Sequence, residues 1–416
     1  MKKFILVTFI SVFLLILPSC GTNTGENITT PSLLKGAKLQ AFINQNEPEI
    51  GSQISDISLK VLKTIDSQSS YGLDNTVFSG YSLIYALGML LSVERNNHYF
   101  YHNLQKFLET NLNDVQYSQL LSEINKLTLN DLGQNNTFEN DNSYWLLRDD
   151  QLTQEQRFEV LKSLYGAHEF LWSQINELVN KLNAYILKKT HNFLNPNLDP
   201  TMFNGLTYAV LLNVLYFHGL WTVPLSESPD TFYNLSGTLT KVNFVGMEGE
   251  GYYPYVKTNN YLALGVGYNN SKLEMDFIMP TSENLTKFIS SLTTQQLNLI
   301  TSNLDKVRNE MSTNELIGSG SIEFPEFDVK SNIGLYNVLE QLGVNLDDSD
   351  VTAVYQQARI KVDQYGTTAA AATEASIGSS LEPPINPVVI NHPFMFLIRD
   401  RATNTIYFLG QVASLS

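Results

Sequence analysis

The chain has 416 residues, with 26 basic and 41 acidic side chains and a formal charge of −15. That balance excludes a nucleic-acid binder, which needs a basic face, and unaided adhesion to an acidic membrane. Apolar residues make up 43% and aromatics 11%, enough for a large core, and a single cysteine rules out intramolecular disulfides and every zinc motif built on paired cysteines.

The first nineteen residues read as a targeting segment. Lys2 and Lys3 precede the apolar run "FILVTFISVFLLIL", which is short for a bilayer span, and "LPSC" ends at Cys20, the only cysteine. This resembles a bacterial lipoprotein signal, with residues 1–19 removed and Cys20 lipidated. The expected location is then the cell envelope, anchored to a bacterial membrane and facing the periplasm or exterior. An ordinary secretory signal or a plain anchor helix, with Cys20 incidental, accounts for the same composition. Residues 20–48 are mostly polar and read as a tether. The globular part is expected over 49–416 as one domain, because no Pro/Gly-rich divider interrupts it.

Its first half is predicted mainly helical. "ISDISLKVLKTIDS", "YSLIYALGMLLSVE", "NLQKFLETNL", "VQYSQLLSEINKL", "TQEQRFEVLKSLYG" and "WSQINELVNKLNAYILKKT" repeat apolar residues near a 3.6 period. The second half is predicted mainly as strands: "TYAVLLNVLYFHG", "YLALGVGY", "KLEMDFIMP", "GSIEFPEF", "ARIKV", "FMFLIRD" and "TIYFLGQV". Two helical stretches, "NLTKFISSLTTQQLNLITSNL" and "GLYNVLEQLG", lie among them. Helices and strands segregated in this way indicate an α+β fold.

Catalytic chemistry finds little support. His98 and His102 share a helical face, but Tyr99 stands where a zinc-protease motif needs glutamate, so they read as surface histidines. Ser82 in "SGYSLI" lacks the second glycine of a nucleophile elbow, and helical periodicity follows it. There is no phosphate-binding loop and no carboxylate pair with acid–base spacing. The expectation is no enzyme, no metal and no cofactor.

The most unusual stretch is "QYGTTAAAATEASIGSSLEPP", residues 364–384, small and polar between two apolar strands. A linker so close to the C-terminus has little to link. Around it, "LLNVLYFHGLW", "FIMP", "IEFPEFDVKSNIGLYNVLEQLGV" and "NHPFMFLIRDRATNTIYFLGQV" follow in an order that resembles the serpin family, as does "NTVFSGYSLIYALGMLLS" upstream. The resemblance covers most of residues 50–416. It implies helices packed around a large central mixed sheet, with smaller sheets and an exposed reactive-centre loop at about 364–384. It also implies an irreversible suicide-substrate inhibitor of serine, and by extension cysteine, endopeptidases, which traps the acyl-enzyme as the cut loop inserts into the central sheet.

The hinge implied is Gly366, Thr367, Thr368, Ala369, Ala370, Ala371, Ala372 and Thr373. Its small residues suit insertion on physical grounds as well, and no proline interrupts 364–382. If Thr367 faces the core, so do Ala369, Ala371, Thr373, Ala375 and Ile377, leaving the sole charge, Glu374, for solvent. A central sheet one strand short is expected to receive them. The reactive bond is expected at Ser380–Leu381, with Ile377, Ser379 and Leu381 as alternatives for the residue before the cut. With no Lys or Arg between Lys361 and Arg399, the loop suits elastase-, subtilisin- or chymotrypsin-like proteases rather than trypsin-like ones.

The resemblance further marks Ser79, Ser82, Asn213 and Gln356 as a polar cluster controlling sheet opening, and Trp221 as the residue where insertion begins. Gly80 in place of proline, Gln356 in place of histidine and Gln364 in place of glutamate depart from the family pattern. The expected partners are target proteases and a membrane reached through the lipid. No nucleic acid and no heparin are expected, since residues 98–126 carry only Lys106 and Lys126 against Glu109, Asp114 and Glu123, and the chain is expected to be a monomer. A non-inhibitory serpin acting as a surface scaffold is the competing reading. A secreted hydrolase is a weaker third.

Overall fold

Strands that read as unbroken apolar runs become sheet members buried on both faces. The computed structural model describes residues 9–18, 33–68, 74–133, 135–147, 159–203, 207–269, 271–311, 319–349, 351–367 and 388–416. The largest sheet contains β1 (Phe9–Pro18), β3 (Thr137–Leu147), β4 (His168–Trp172), β5 (Thr207–Leu220), β12 (Phe327–Gly334) and β13 (Ala353–Val362), in the order β12-β13-β1-β5-β3-β4. A two-residue strand, β14 (Gly366–Thr367), also pairs with β5.

A second sheet runs β2-β17-β16-β10-β9-β8, made of Thr76–Phe78, Thr405–Val412, Phe394–Asp400, Leu273–Pro280, Tyr261–Gly267 and Tyr255–Lys257 respectively. The third, β15-β11-β7-β6, is made of Val388–Val389, Ser319–Pro325, Leu239–Tyr253 and Ser226–Tyr233.

Helix α1 spans Gly36–Ser67, so the expected tether over 20–48 is corrected: the helix already begins at Gly36, and Ile43 and Ile50 are buried. A polar surface face had disguised its first turns. Helix α2 (Gly80–Val93) is buried at every position, as its all-round apolar sequence requires, and it touches β17 as well as β5 and β1. It starts at Ser79, whose side chain accepts the Ser82 amide. Helices α3 (His98–Phe107) and α4 (Asp114–Asp131) follow, the second opened by a capping box from Asn113 and Gln116.

Helix α5 (Ile175–Lys189) lays Leu178, Val179, Leu182 and Ile186 over one face of the large sheet, against Val210, Leu212, Val214 and Tyr216 of β5. The opposite face of β5, through Ala209, Leu211, Leu215 and Phe217, joins the main core around α2. Helices α6 (Leu285–Ser291) and α7 (Thr294–Met311) cover the second sheet, and α8 (Tyr336–Gln341) leads into β13. Among the described residues no helix is long and apolar enough to cross a membrane.

The central sheet is not one strand short. Between β13 and β5 lies β1, antiparallel to both, so the gap expected from the sequence is filled by the segment read as a targeting signal. The physical reason lies in composition: "FISVFLLILP" is uncharged and rich in β-forming residues, which suits a strand paired on both edges in the middle of a sheet.

Candidate functional site

The site begins where β13 ends. Gln364 and Tyr365 make a tight turn closed by paired bonds between Asp363 and Gly366, and the Tyr365 amide donates to the Asp363 carboxylate at 3.0 Å. The turn sends the chain back toward β5, where Gly366 pairs with Leu220 and Thr367 with Gly219. Only glycine fits at 366: φ is +114°, and a Cβ would meet the Trp221 amide nitrogen at 2.5 Å and the Gly219 carbonyl at 2.7 Å. Two further bonds pin the turn, from the Trp221 amide to the Tyr365 carbonyl (3.1 Å) and from the Leu225 amide to the Gln364 carbonyl (2.9 Å).

Trp221 sits beside this turn, at the mouth of the strand slot. Its ring stacks on Tyr268 with centroids 5.0 Å apart, and its Nε1 donates to the Asp363 carbonyl at 2.9 Å. Phe324 of β11 meets the same ring edge-on at 6.0 Å, and β11 pairs in parallel with β15, where the description of the chain resumes. Thr368 to Thr373, Glu374, Ile377 and the Ser380–Leu381 bond lie outside the described residues, as does Cys20.

The four residues expected to form a polar cluster are together, all fully buried. The Ser79 amide donates to Gln356 Oε1 and Gln356 Nε2 donates back to the Ser79 carbonyl, each at 3.0 Å. Gln356 thus does with an amide what a lone imidazole donor could do only in part. Ser82 Oγ donates to Asn213 Oδ1, and Asn213 Nδ2 donates to Asn142 (2.8 Å) and Asn140 (2.6 Å) of β3. These bonds tie α2 to β13 on one side of the slot and to β5 and β3 on the other. They also dispose of Ser82 as a nucleophile, since its hydroxyl hydrogen is committed to an amide in a closed core.

Asn140 and Asn142 were missed from sequence. Their signal was the polar run "ENDN" entering the apolar "SYWLL", which places amides inside a strand. Gly80 also gains a reason: a Cβ there would collide with Ser58 of α1, so glycine allows the two helices to approach.

Carboxylates gather at the slot mouth. Burial, then the neighbouring Glu227, pushes the Glu326 carboxyl up to about 7, and burial raises Asp363 despite the bond from the Tyr365 amide. His98 and His102 are exposed on α3, and among the described residues no group of His, Cys, Asp or Glu could hold a metal.

The face reserved for Glu374 is not open to solvent near the middle of the slot. Leu14 of β1, opposite Leu212, is 2% exposed in the cluster beneath α5. A helix that covers this face from elsewhere in the chain is not visible in a local sequence pattern.

The family described as "Serpin (serine protease inhibitor)" matches residues 52–415. Curated relatives include Serpin-Z1 of Arabidopsis thaliana, 26% identical over 65% of this chain and 71% of its own length. A serpin-like protein of Methanosarcina acetivorans is 24% identical over 99% and 97% respectively. Among solved structures, the thermophilic serpin tengpin in its native state superposes with a TM-score of 0.71 at 22% identity, covering 88% of this chain and 94% of that one. Arabidopsis AtSerpin1, in its native stressed conformation, gives 0.67 at 18% identity, over 91% and 99%. With the match spanning nearly all of the described fold, this chain belongs to the serpin family, a family of serine protease inhibitors rather than catalysts.

Proposed function

We propose that the chain is an irreversible suicide-substrate inhibitor of serine endopeptidases, and of cysteine ones by extension, held in the bacterial cell envelope by a lipid on Cys20. The observation that carries this reading is the hinge: Gly366 and Thr367 are paired with Leu220 and Gly219 at the open end of the β5–β13 slot. Continued residue by residue, this register sets Ala369 against Phe217, Ala371 against Leu215, Thr373 against Asn213 and Ile377 against Ala209. All of these lie on the core face of β5. Thr373 then arrives between Asn213 and Gln356, where a hydroxyl can both donate and accept.

In this mechanism a protease attacks the loop at Ser380–Leu381 or a neighbouring bond and is held as an ester or thioester. The freed N-terminal arm zips down the slot from Thr367. About 14 residues at roughly 3.3 Å each carry the bound protease some 45 Å. Ordering them costs on the order of 1 kcal/mol or more per residue. Bonds along both edges, each about 0.5–1.5 kcal/mol net, together with burial, must exceed that cost. The side chains available suit elastase-, subtilisin- and chymotrypsin-like enzymes. A surface scaffold without inhibitory action is the other reading.

The test is incubation of the chain trimmed before Cys20 with an elastase and a subtilisin, followed by denaturing electrophoresis. A stable band of summed mass supports inhibition, and clean cleavage without a complex favours the scaffold. For the anchor, Cys20→Ala should move the protein out of the detergent phase. If the variant and the parent partition alike, the lipid reading fails.

A further inference from the structure

We propose that the N-terminal segment Phe9–Pro18 is a removable plug of the strand slot, so that the untrimmed chain is a latent form that a protease can cut but that cannot trap it. The inference rests on the inhibitory reading above for its consequence, though not for the occupancy itself.

The register carries the argument. On β5, β14 ends with Thr367 opposite Gly219, and β1 begins with Phe9 opposite Phe217. One strand position separates them. On the β13 side, Asp363 bridges Gly366, and Ile10 through Ile16 pair with Arg359 through Ala353. Continued from Gly366, both edges give one answer: Ala369 falls where Phe9 lies, Thr373 where Phe13 lies, and Ile377 where Leu17 lies. The hinge and the N-terminal segment are therefore end to end in a single strand line, running in the same direction. Loop and plug cannot both use the bonds of Ala209–Phe217 and Ala353–Arg359.

The plug is the better occupant. It offers Phe, Ile, Val and Leu where the loop offers mainly Ala, Thr and Ser. At the position the loop would fill with Glu374, it has Leu14, packed with Leu212 and α5. A charged residue cannot displace it there without exposing apolar surface and burying a carboxylate. The loop gains the slot only when the plug leaves. Hydrolysis of one peptide bond after Pro18, water being the other reactant, frees all ten residues of β1. A cut before Cys20, where the sequence itself places one, does this and leaves the hinge at the mouth of an open slot.

Three measurements on the full chain test the proposal. Hydrogen exchange should protect the Ile10–Leu17 amides as strongly as those of β5, whereas exchange at free-peptide rates overturns the plug. In a Cys20→Ser background, Leu14→Cys with Leu212→Cys should form a disulfide under mild oxidation, since directly opposed residues lie within bridging distance, and persistent free thiols overturn it. Val12→Pro removes a ladder donor and should raise the yield of elastase complex at least tenfold over the untrimmed parent, which is cut without trapping. Equal yields overturn the latency. Should even the trimmed chain trap nothing, the inhibitory reading falls, and the exchange pattern alone decides the plug.

Discussion

The second sheet and the slot region of the large sheet are built from opposite materials. In the second, β10, β16 and β17 are buried at every residue, and the charge they carry is closed upon itself. Arg399, wholly buried, donates to Asp276 (2.6 Å), to Glu274 (3.2 Å) and to Asp305 of α7 (2.8 and 2.9 Å), and Arg308 pairs with Glu274 as well. At the middle of the slot the buried polar groups are neutral amides and hydroxyls, linked through Asn213 and Gln356, with the carboxylates confined to its mouth. A neutral amide can exchange one partner for another at little cost, whereas a buried ion pair cannot lose a partner cheaply. The first region is therefore a fixed base, and the second a joint that can be remade around a new strand.

The strongest way to break this contrast is to unlock the base. Arg399→Met leaves Asp276 buried without its paired cation, and Glu274 with Arg308 as its remaining close one, and should lower unfolding free energy by about 3–5 kcal/mol, read by denaturant melts. The contrast also requires that the surviving folded fraction keep its ratio of complex to cleaved product. A changed ratio would couple the base to the joint.

A smaller effect sharpens the joint. In the proposed insertion Glu374 would take the Leu14 position beneath α5, so Glu374→Ala should stabilise the loop-inserted form by about 1–3 kcal/mol and raise the yield of complex in the trimmed chain. No change would mean that α5 moves far enough aside to leave that face wet.

Acidity offers a third handle. The Glu326 carboxyl is raised to about 7 and those of Asp66 and Asp400 to about 6, burial being the main cause in each. A raised acid favours folding while it is protonated. Its contribution is full below about pH 4 and is lost as pH climbs through 6 and 7. Stability should therefore fall from pH 5 to pH 8, and Glu326→Gln should flatten the fall, raising the pH 8 melting midpoint by about 2 °C while barely moving it at pH 5. An equal shift at both values would assign the effect to packing. The smallest effect expected is none: heparin-like polyanions should not speed inhibition, because the α3–α4 region is slightly acidic. A rate rise at low salt would contradict this.

The base was legible in the sequence and the joint only partly. Unbroken apolar runs such as "FMFLIRD" and "TIYFLGQV" announce strands buried on both sides. By contrast β6, "SESPDTFY", is largely exposed and carries a proline, so alternation never reveals it. β3 opens with "TFENDN", whose amides face partners far away in sequence. Ser79, Ser82, Asn213, Gln356 and Trp221 were found through family resemblance, and the structure brings all five to the slot. The occupation of that slot by Phe9–Pro18 could not be read locally, because an apolar run reads alike whether it is bound for a membrane or for the middle of a sheet.

In the proposed mechanism the cut loop enters the space between β5 and β13. The most direct test is the thermal midpoint of the trimmed chain before and after a single cut between Ile377 and Leu381, measured alongside Thr367→Arg. That substitution puts a guanidinium opposite Gly219, where the rings of Phe217 and Tyr268 already fill the core face. The account predicts a rise on the order of 10 °C or more in the parent, as new strand bonds are added, and little or none in the variant despite equal cleavage. Equal midpoints in the parent before and after cutting would contradict it.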